Sequence, residues 1–184
     1  MDLNSLPLDI YKLIYEFVIF IPLSNEELRI NVLNIEQGGH ISNWNTKYIT
    51  NMRYLFQDHT KFNEDISNWN VSNVTDMDSM FSDCKTFNQS LNKWDVSNVR
   101  NMCSTFFYCK NYNHPLNSWD VGNVTKMNLM FCNCQKFNKN INSWNVSNVI
   151  DMATMFSNAN SFNQPLDNWN VANVTDMDNM FYKS

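Results

Sequence analysis

The 184-residue chain has the length of one domain, and 43% hydrophobic with 14% aromatic residues is ample for a packed core, which excludes wholesale disorder. Its formal net charge of -5 sets 13 scattered Lys and Arg against 18 Asp and Glu. That balance excludes nucleic acid as the expected ligand, because phosphate binding needs clustered cations, and it disfavours anionic membranes.

In chain order, Met1-Asp2 and Asp9 precede the apolar stretch Ile14–Leu23, which Glu16 interrupts. This is not the cationic start of an export signal. It also falls short of the roughly 20 residues of a membrane span, so the sequence as it stands reads as intracellular, with no membrane span. Over Leu6 to Phe20 the residues Ile10, Leu13, Ile14 and Phe17 share one helical face, with Pro7 near the first turn. Asn25 to Gln37 suggests a second helix. Residues 1–36 are therefore expected to form a helical N-terminal cap, with a repeat region over 37–184.

Tryptophan recurs every 25 residues, at Trp44, Trp69, Trp94, Trp119, Trp144 and Trp169, with its neighbours in the same register. A fixed period of that length marks a repeat array whose units are buried only by stacking. The expected fold is an α/β solenoid of about six coils, each a short strand plus a short helix or 3₁₀ turn. In the unit Phe62 to Thr86 the apolar positions are Phe62, Ile66, Trp69, Val71, Val74, Met77, Met80, Phe81 and Cys84. Ile66-x-x-Trp69-x-Val71 has leucine-rich-repeat spacing and predicts the strand, with Asn68, Asn70 and Ser72 outward. Met77, Met80, Phe81 and Cys84 fall at i, i+3, i+4 and i+7 and predict the helical face, with Thr75 as its cap. Ordering one unit costs about 1–2 kcal/mol per residue, more than its inward side chains contribute at about 1.5–3 kcal/mol each. A unit should hold its shape only between neighbours.

Two asparagine columns are expected to hold the corners, Asn73 to Asn173 and Asn63 to Asn163. They create sequons at Asn70, Asn73, Asn88, Asn123, Asn145 and Asn173, read as incidental to the repeat. The cysteines number five, with Cys84, Cys109 and Cys134 in one column and Ala159 next, as for a small buried slot. A disulfide between stacked coils stays open, but without a C-x-x-C pair or a partnered His no metal is expected. His40, His59 and His114 occupy different repeat positions, and no catalytic or cofactor motif is present, so neither an enzyme nor a cofactor is expected.

Departures from the repeat point to binding. Phe107 and Tyr108 stand where other coils carry Ser82 and Asp83 or Ser157 and Asn158. They either form a hot spot for a protein partner of unknown identity or pack sideways on Cys132 and Asn133. The outward column Asn70, Asp95, Asp120 and Asn145 is a second candidate contact surface, polar and lightly acidic. The array stops at Met180-Phe181-Tyr182, which leaves end-to-end self-association open.

The string F-N-Q-P-L-D-N-W-N-V-A-N-V-T-D-M-D-N-M-F, Phe162 to Phe181, closely resembles the repeat of BspA-like leucine-rich-repeat surface proteins. The resemblance implies a right-handed leucine-rich-repeat-like solenoid that binds proteins or surfaces as a scaffold; surface localisation is implied only by this likeness. Leu6, Pro7, Ile10, Ile14 and Phe17 resemble the first helix of an F-box. That likeness implies docking on a Skp-type ubiquitin-ligase subunit, with the coils as substrate adaptor. A cell-surface adhesin is the third reading.

Overall fold

The computed structural model describes residues 20–33 and 41–184. From Ile41 onward each unit of 25 residues lies in register against the next, and the links between units are backbone hydrogen bonds. Along the segment predicted as helical, alternate N–H groups take different partners. Those of Met77, Ser79, Phe81 and Asp83 donate to the carbonyls of Asn101, Cys103, Thr105 and Phe107 in the next unit, at 2.8–3.0 Å. Those of Met80, Ser82 and Cys84 close local turns onto Met77, Ser79 and Phe81 at 2.9–3.1 Å. No buried backbone donor along this run is wasted, as desolvation demands.

This geometry corrects the short helix or 3₁₀ segment expected in each unit. Ser79 and Asp83 have φ of 54° and 60°, and the left-handed conformation recurs at the same two positions in every unit, for example at Tyr54 and Asp58 and at Leu129 and Asn133. A right-handed helix cannot pass through such residues. The i, i+3, i+4, i+7 spacing instead comes from overlapping four-residue turns, which bury the same side chains. The strand expected at Ile66–Val71 is also replaced by turns, Trp69 N–H to Ile66 O at 3.0 Å and Val74 N–H to Val71 O at 2.9 Å. Parallel bridging among the repeats falls at Asn51, Asp76, Asn101, Lys126, Asp151 and Asp176, one residue per unit. Thr75, expected as a helix cap, turns its hydroxyl to Thr50 O at 3.2 Å.

Three aromatic columns fill the interior. Phe56, Phe81, Phe106, Phe131, Phe156 and Phe181 stack with centroids 5.5–5.7 Å apart. Phe62, Phe87, Tyr112, Phe137 and Phe162 stack at 5.6–6.2 Å. Between the two columns, rings of one unit lie as close as 4.0 Å. The indoles form the third column: Trp44 and Trp69, Trp119 and Trp144, and Trp144 and Trp169 are parallel within 7° at 6.0–6.5 Å. Each indole from Trp69 onward also donates its Nε1–H to a carbonyl 28 residues earlier, Trp69 to Ile41 at 2.8 Å and Trp144 to Leu116 at 2.9 Å among them. A buried Trp needs such a partner.

The cysteine slot follows the same rule. Cys84, Cys109 and Cys134 donate Sγ–H to Phe56 O, Phe81 O and Phe106 O at 2.9–3.0 Å, and all five cysteines are free thiols, so the stacked disulfide is not formed.

Helix α1, Asn25–Leu33, packs Leu28 and Val32 onto the first unit. Ser24 caps it, its Oγ accepting from Glu27 N–H at 3.1 Å. Asn25 Oδ1 accepts from Thr50 N–H at 3.0 Å and Asn51 N–H at 3.2 Å. In the next unit the corresponding donor, Thr75 N–H, bonds the backbone carbonyl of Thr50 at 2.8 Å. A side-chain amide thus supplies, for the first unit, the acceptor that a preceding unit would have supplied.

Candidate functional site

The stack presents three kinds of outward surface. The first is the column Asn70, Asp95, Asp120 and Asn145, exposed as expected. Each side-chain oxygen is engaged in closing its own turn, accepting from the N–H of Ser72, Ser97, Gly122 and Ser147 at 3.0–3.2 Å. Asp95 also accepts the Ser97 hydroxyl at 2.6 Å, and the Ser97 hydroxyl and N–H hold its carboxyl below the ordinary carboxylate value. The turns thus engage Oδ1 in each case, and what is left for a partner is Oδ2 of Asp95 and Asp120 and the amide NH2 of Asn70 and Asn145.

The second surface is the pair Phe107 and Tyr108. Both are half-buried, with ring centroids 4.7 Å apart and planes at 67°. Their backbone is fixed by Tyr108 N–H to Cys132 O at 2.9 Å and by Asp83 N–H to Phe107 O at 2.8 Å. Tyr108 has φ of 58°, at a register position where Asp58, Asp83, Asn133, Asn158 and Lys183 also stand. Lys110 Nζ lies 5.8 Å from the Tyr108 ring centroid. The sequence did not announce that Lys110, His114, Lys136 and Lys139 share this edge; only the register of the stack gathers them.

The third is an open depression of about 580 Å³ lined by Gln57 through Glu64. It carries Asp58, His59, Lys61 and Glu64, and His59 Nδ1 bonds Gln57 O at 3.0 Å. A single run of chain forms its walls, so no group from a second element converges on it as an acid–base or nucleophilic site requires. Among the described residues no three His, Cys, Asp or Glu side chains are grouped to hold a metal ion. Burial pushes the thiols of Cys84, Cys109 and Cys134 up from their ordinary value, the opposite of what activates a nucleophile.

The sequons coincide with structural ladders. Asn73, Asn123 and Asn173 donate Nδ2–H to Lys47 O, Ser97 O and Ser147 O at 2.7 Å. Asn98 and Asn148, which lack a Thr two residues on, make the same bond at 2.7 Å. The ladder needs the amide whether or not a sequon results.

Leu6, Pro7, Ile10, Ile14 and Phe17 lie outside the described residues. Among the described residues no helix is long and apolar enough to cross a membrane.

Residues 29–128 and 109–184 match the family described as "Mycoplasma protein of unknown function, DUF285". The chain belongs to that family. No curated protein and no solved structure matches it. The two matched segments of this DUF285 chain together span the stacked units and part of α1.

Proposed function

We propose that this DUF285 chain is a non-catalytic protein-interaction module, a BspA-like, right-handed leucine-rich-repeat-like solenoid of about six coils that scaffolds a partner on its outer edge. BspA-like proteins commonly carry this domain. The in-register ladders support a rigid frame, whose constant positions are consumed by folding and whose variable positions are free to bind. One observation carries the reading: Phe107 and Tyr108 form a half-buried aromatic pair at registers that are polar in coils one, two and five, and they stay partly exposed where the equivalent Ser82, Cys132 and Ser157 are buried. Half-buried aromatics held on a fixed backbone lose little entropy on binding and are the residues that dominate interface energetics.

The test uses replacements that the repeat itself tolerates, Phe107→Ser and Tyr108→Asn, because Ser82, Ser157, Asn133 and Asn158 already occupy those registers. Affinity capture from the native cell should retain a partner with the parent chain and lose it with the double variant. An identical set of captured proteins overturns the reading. Self-association is a separate proposal: Val171 and Met177 at 39% and Phe181 at 51% exposure leave the final unit with an apolar face. Sedimentation at several concentrations should show growth with concentration if that face pairs, and a single monomer boundary eliminates it.

A further inference from the structure

We infer that the patch around Phe107 and Tyr108 receives an acidic peptide segment with one apolar anchor, an inference that rests on the interaction-module reading above. The charge is not distributed evenly along this edge of the stack. In the first two units the edge runs 57–66 and 82–91 and carries Asp58, Glu64, Asp65 and Asp83 beside Lys61 and Lys85. In the next three it runs 107–116, 132–141 and 157–166 and carries no carboxylate, while Lys110, His114, Lys136 and Lys139 all lie on it. In a chain of net charge -5 this is a local reversal of sign.

The register brings these groups together. Asn113 N–H bonds Asn88 Oδ1, and Asn138 N–H bonds Asn113 Oδ1, each at 3.0 Å, so His114 and Lys139 follow stacked residues of adjacent units. Adjacent chains in such a ladder lie about 5 Å apart. Lys110 and Lys136 are set one register step apart on the same two units, and Lys110 flanks the aromatic pair. Asp83, which holds the register of Tyr108 in the preceding unit, has its Oδ1 4.0 Å from Lys85 Nζ and is offset by it. Lys110 sits over the Tyr108 face, which places a cation beside an apolar surface. An anchor side chain against Phe107 and Tyr108, with carboxylates reaching Lys110, Lys136 and Lys139, satisfies both features at once.

A nucleic-acid strand fits less well. Its bases need parallel stacking platforms, whereas these two rings stand at 67° to each other on a single unit. A long polyanion would also meet the carboxylates of Asp58, Glu64 and Asp65 along the same edge. A short acidic peptide is confined to the patch and avoids them.

Fluorescence anisotropy on the full chain tests this with labelled peptides that run from strongly acidic to strongly basic around one leucine, and with an oligothymidylate as the competing polyanion. The acidic peptides should bind tightest, and weaken as salt rises. Charge reversal by Lys110→Glu with Lys136→Glu should cost at least about tenfold in affinity. Tyr108→Asn should weaken binding without lowering the thermal unfolding midpoint, because asparagine tolerates the left-handed backbone at this position. Equal binding of acidic and basic peptides, indifference to charge reversal, or tighter binding of the oligothymidylate overturns the inference. Captured partners that depend on Phe107 and Tyr108 while the acidic peptides fail to bind would leave the interaction-module reading standing and remove this inference alone.

Discussion

Tyr112 occupies the column of Phe62, Phe87, Phe137 and Phe162, and its hydroxyl is fully buried with no hydrogen-bond partner. An orphaned buried hydroxyl costs about 1–3 kcal/mol. Tyr112→Phe should therefore stabilise the chain by about that amount in urea unfolding; destabilisation would mean that the hydroxyl has a partner in solution. Thr105, the other polar intruder in the same unit, contrasts with it. Thr105 interrupts the Met80, Met130 and Met155 column, yet its Oγ1 finds Met77 O at 3.1 Å and Met102 O at 2.9 Å, so its burial is satisfied. Backbone strain is the other residue-scale quantity. Thr154 is β-branched and sits at φ of 61°, a conformation that asparagine tolerates better. Thr154→Asn should raise stability by about 1 kcal/mol, read from the same urea curves, and a loss would contradict the strain argument.

At the scale of the repeat, the asparagine ladders do the work that a sheet would otherwise do. Asn98→Ala removes the 2.7 Å bond to Ser72 O at an exposed corner, so the expected loss is about 0.5–1.5 kcal/mol, since water can replace the amide. A loss several times larger would show that the corner collapses without it. The period of the sequence made the columns legible: every residue placed inward in the unit Phe62 to Thr86 is buried. The route of the backbone between them was not. A helix and a run of overlapping turns bury the same i, i+3, i+4, i+7 set; of the two left-handed positions that decide between them, the Ser79 column carries no sequence mark, while the column of Asp58, Asp83, Asn133 and Asn158 carries only the weak mark of Asp and Asn. Glycine would have marked it, but the chain has only three. The indole bonds were hidden for a related reason, because a link of 28 residues exceeds the repeat by three and follows only once the coil shape is known. Phe107 and Tyr108 were legible as a departure from pattern. The basic edge was not, because Lys110, Lys136 and Lys139 occupy different repeat positions and only stacking groups them.

For the whole molecule, stability is shared across units, and its pH dependence has two arms. The carboxyls of Asp65 and Asp95 lie below their ordinary value through the N–H and hydroxyl groups of Ser67 and Ser97. Their contribution is present above the unfolded-state value and is lost as pH falls through the lowered folded value. Burial raises the thiols of Cys84, Cys109 and Cys134 and the phenol of Tyr112. The unfolded chain ionises these groups first, so stability falls as pH rises past the ordinary thiol value of 9.0. Urea midpoints measured across pH should show a plateau between the two arms; stability that climbs in alkali would contradict the buried thiol column. Thiol labelling of the native chain should find Cys103, the half-buried one, ahead of Cys84, Cys109 and Cys134.

The register of the stack underlies all of these points, and hydrogen exchange at the tryptophan indoles reads it directly. Each Nε1–H of Trp69, Trp94, Trp119, Trp144 and Trp169 is bonded at 2.8–3.2 Å to a carbonyl of an earlier unit. Those five indole protons should exchange slowly, with protection that disappears only as the units open. Fast exchange at Trp94 and Trp119 in the middle of the array, under conditions where the chain is folded, would contradict the stacked structure.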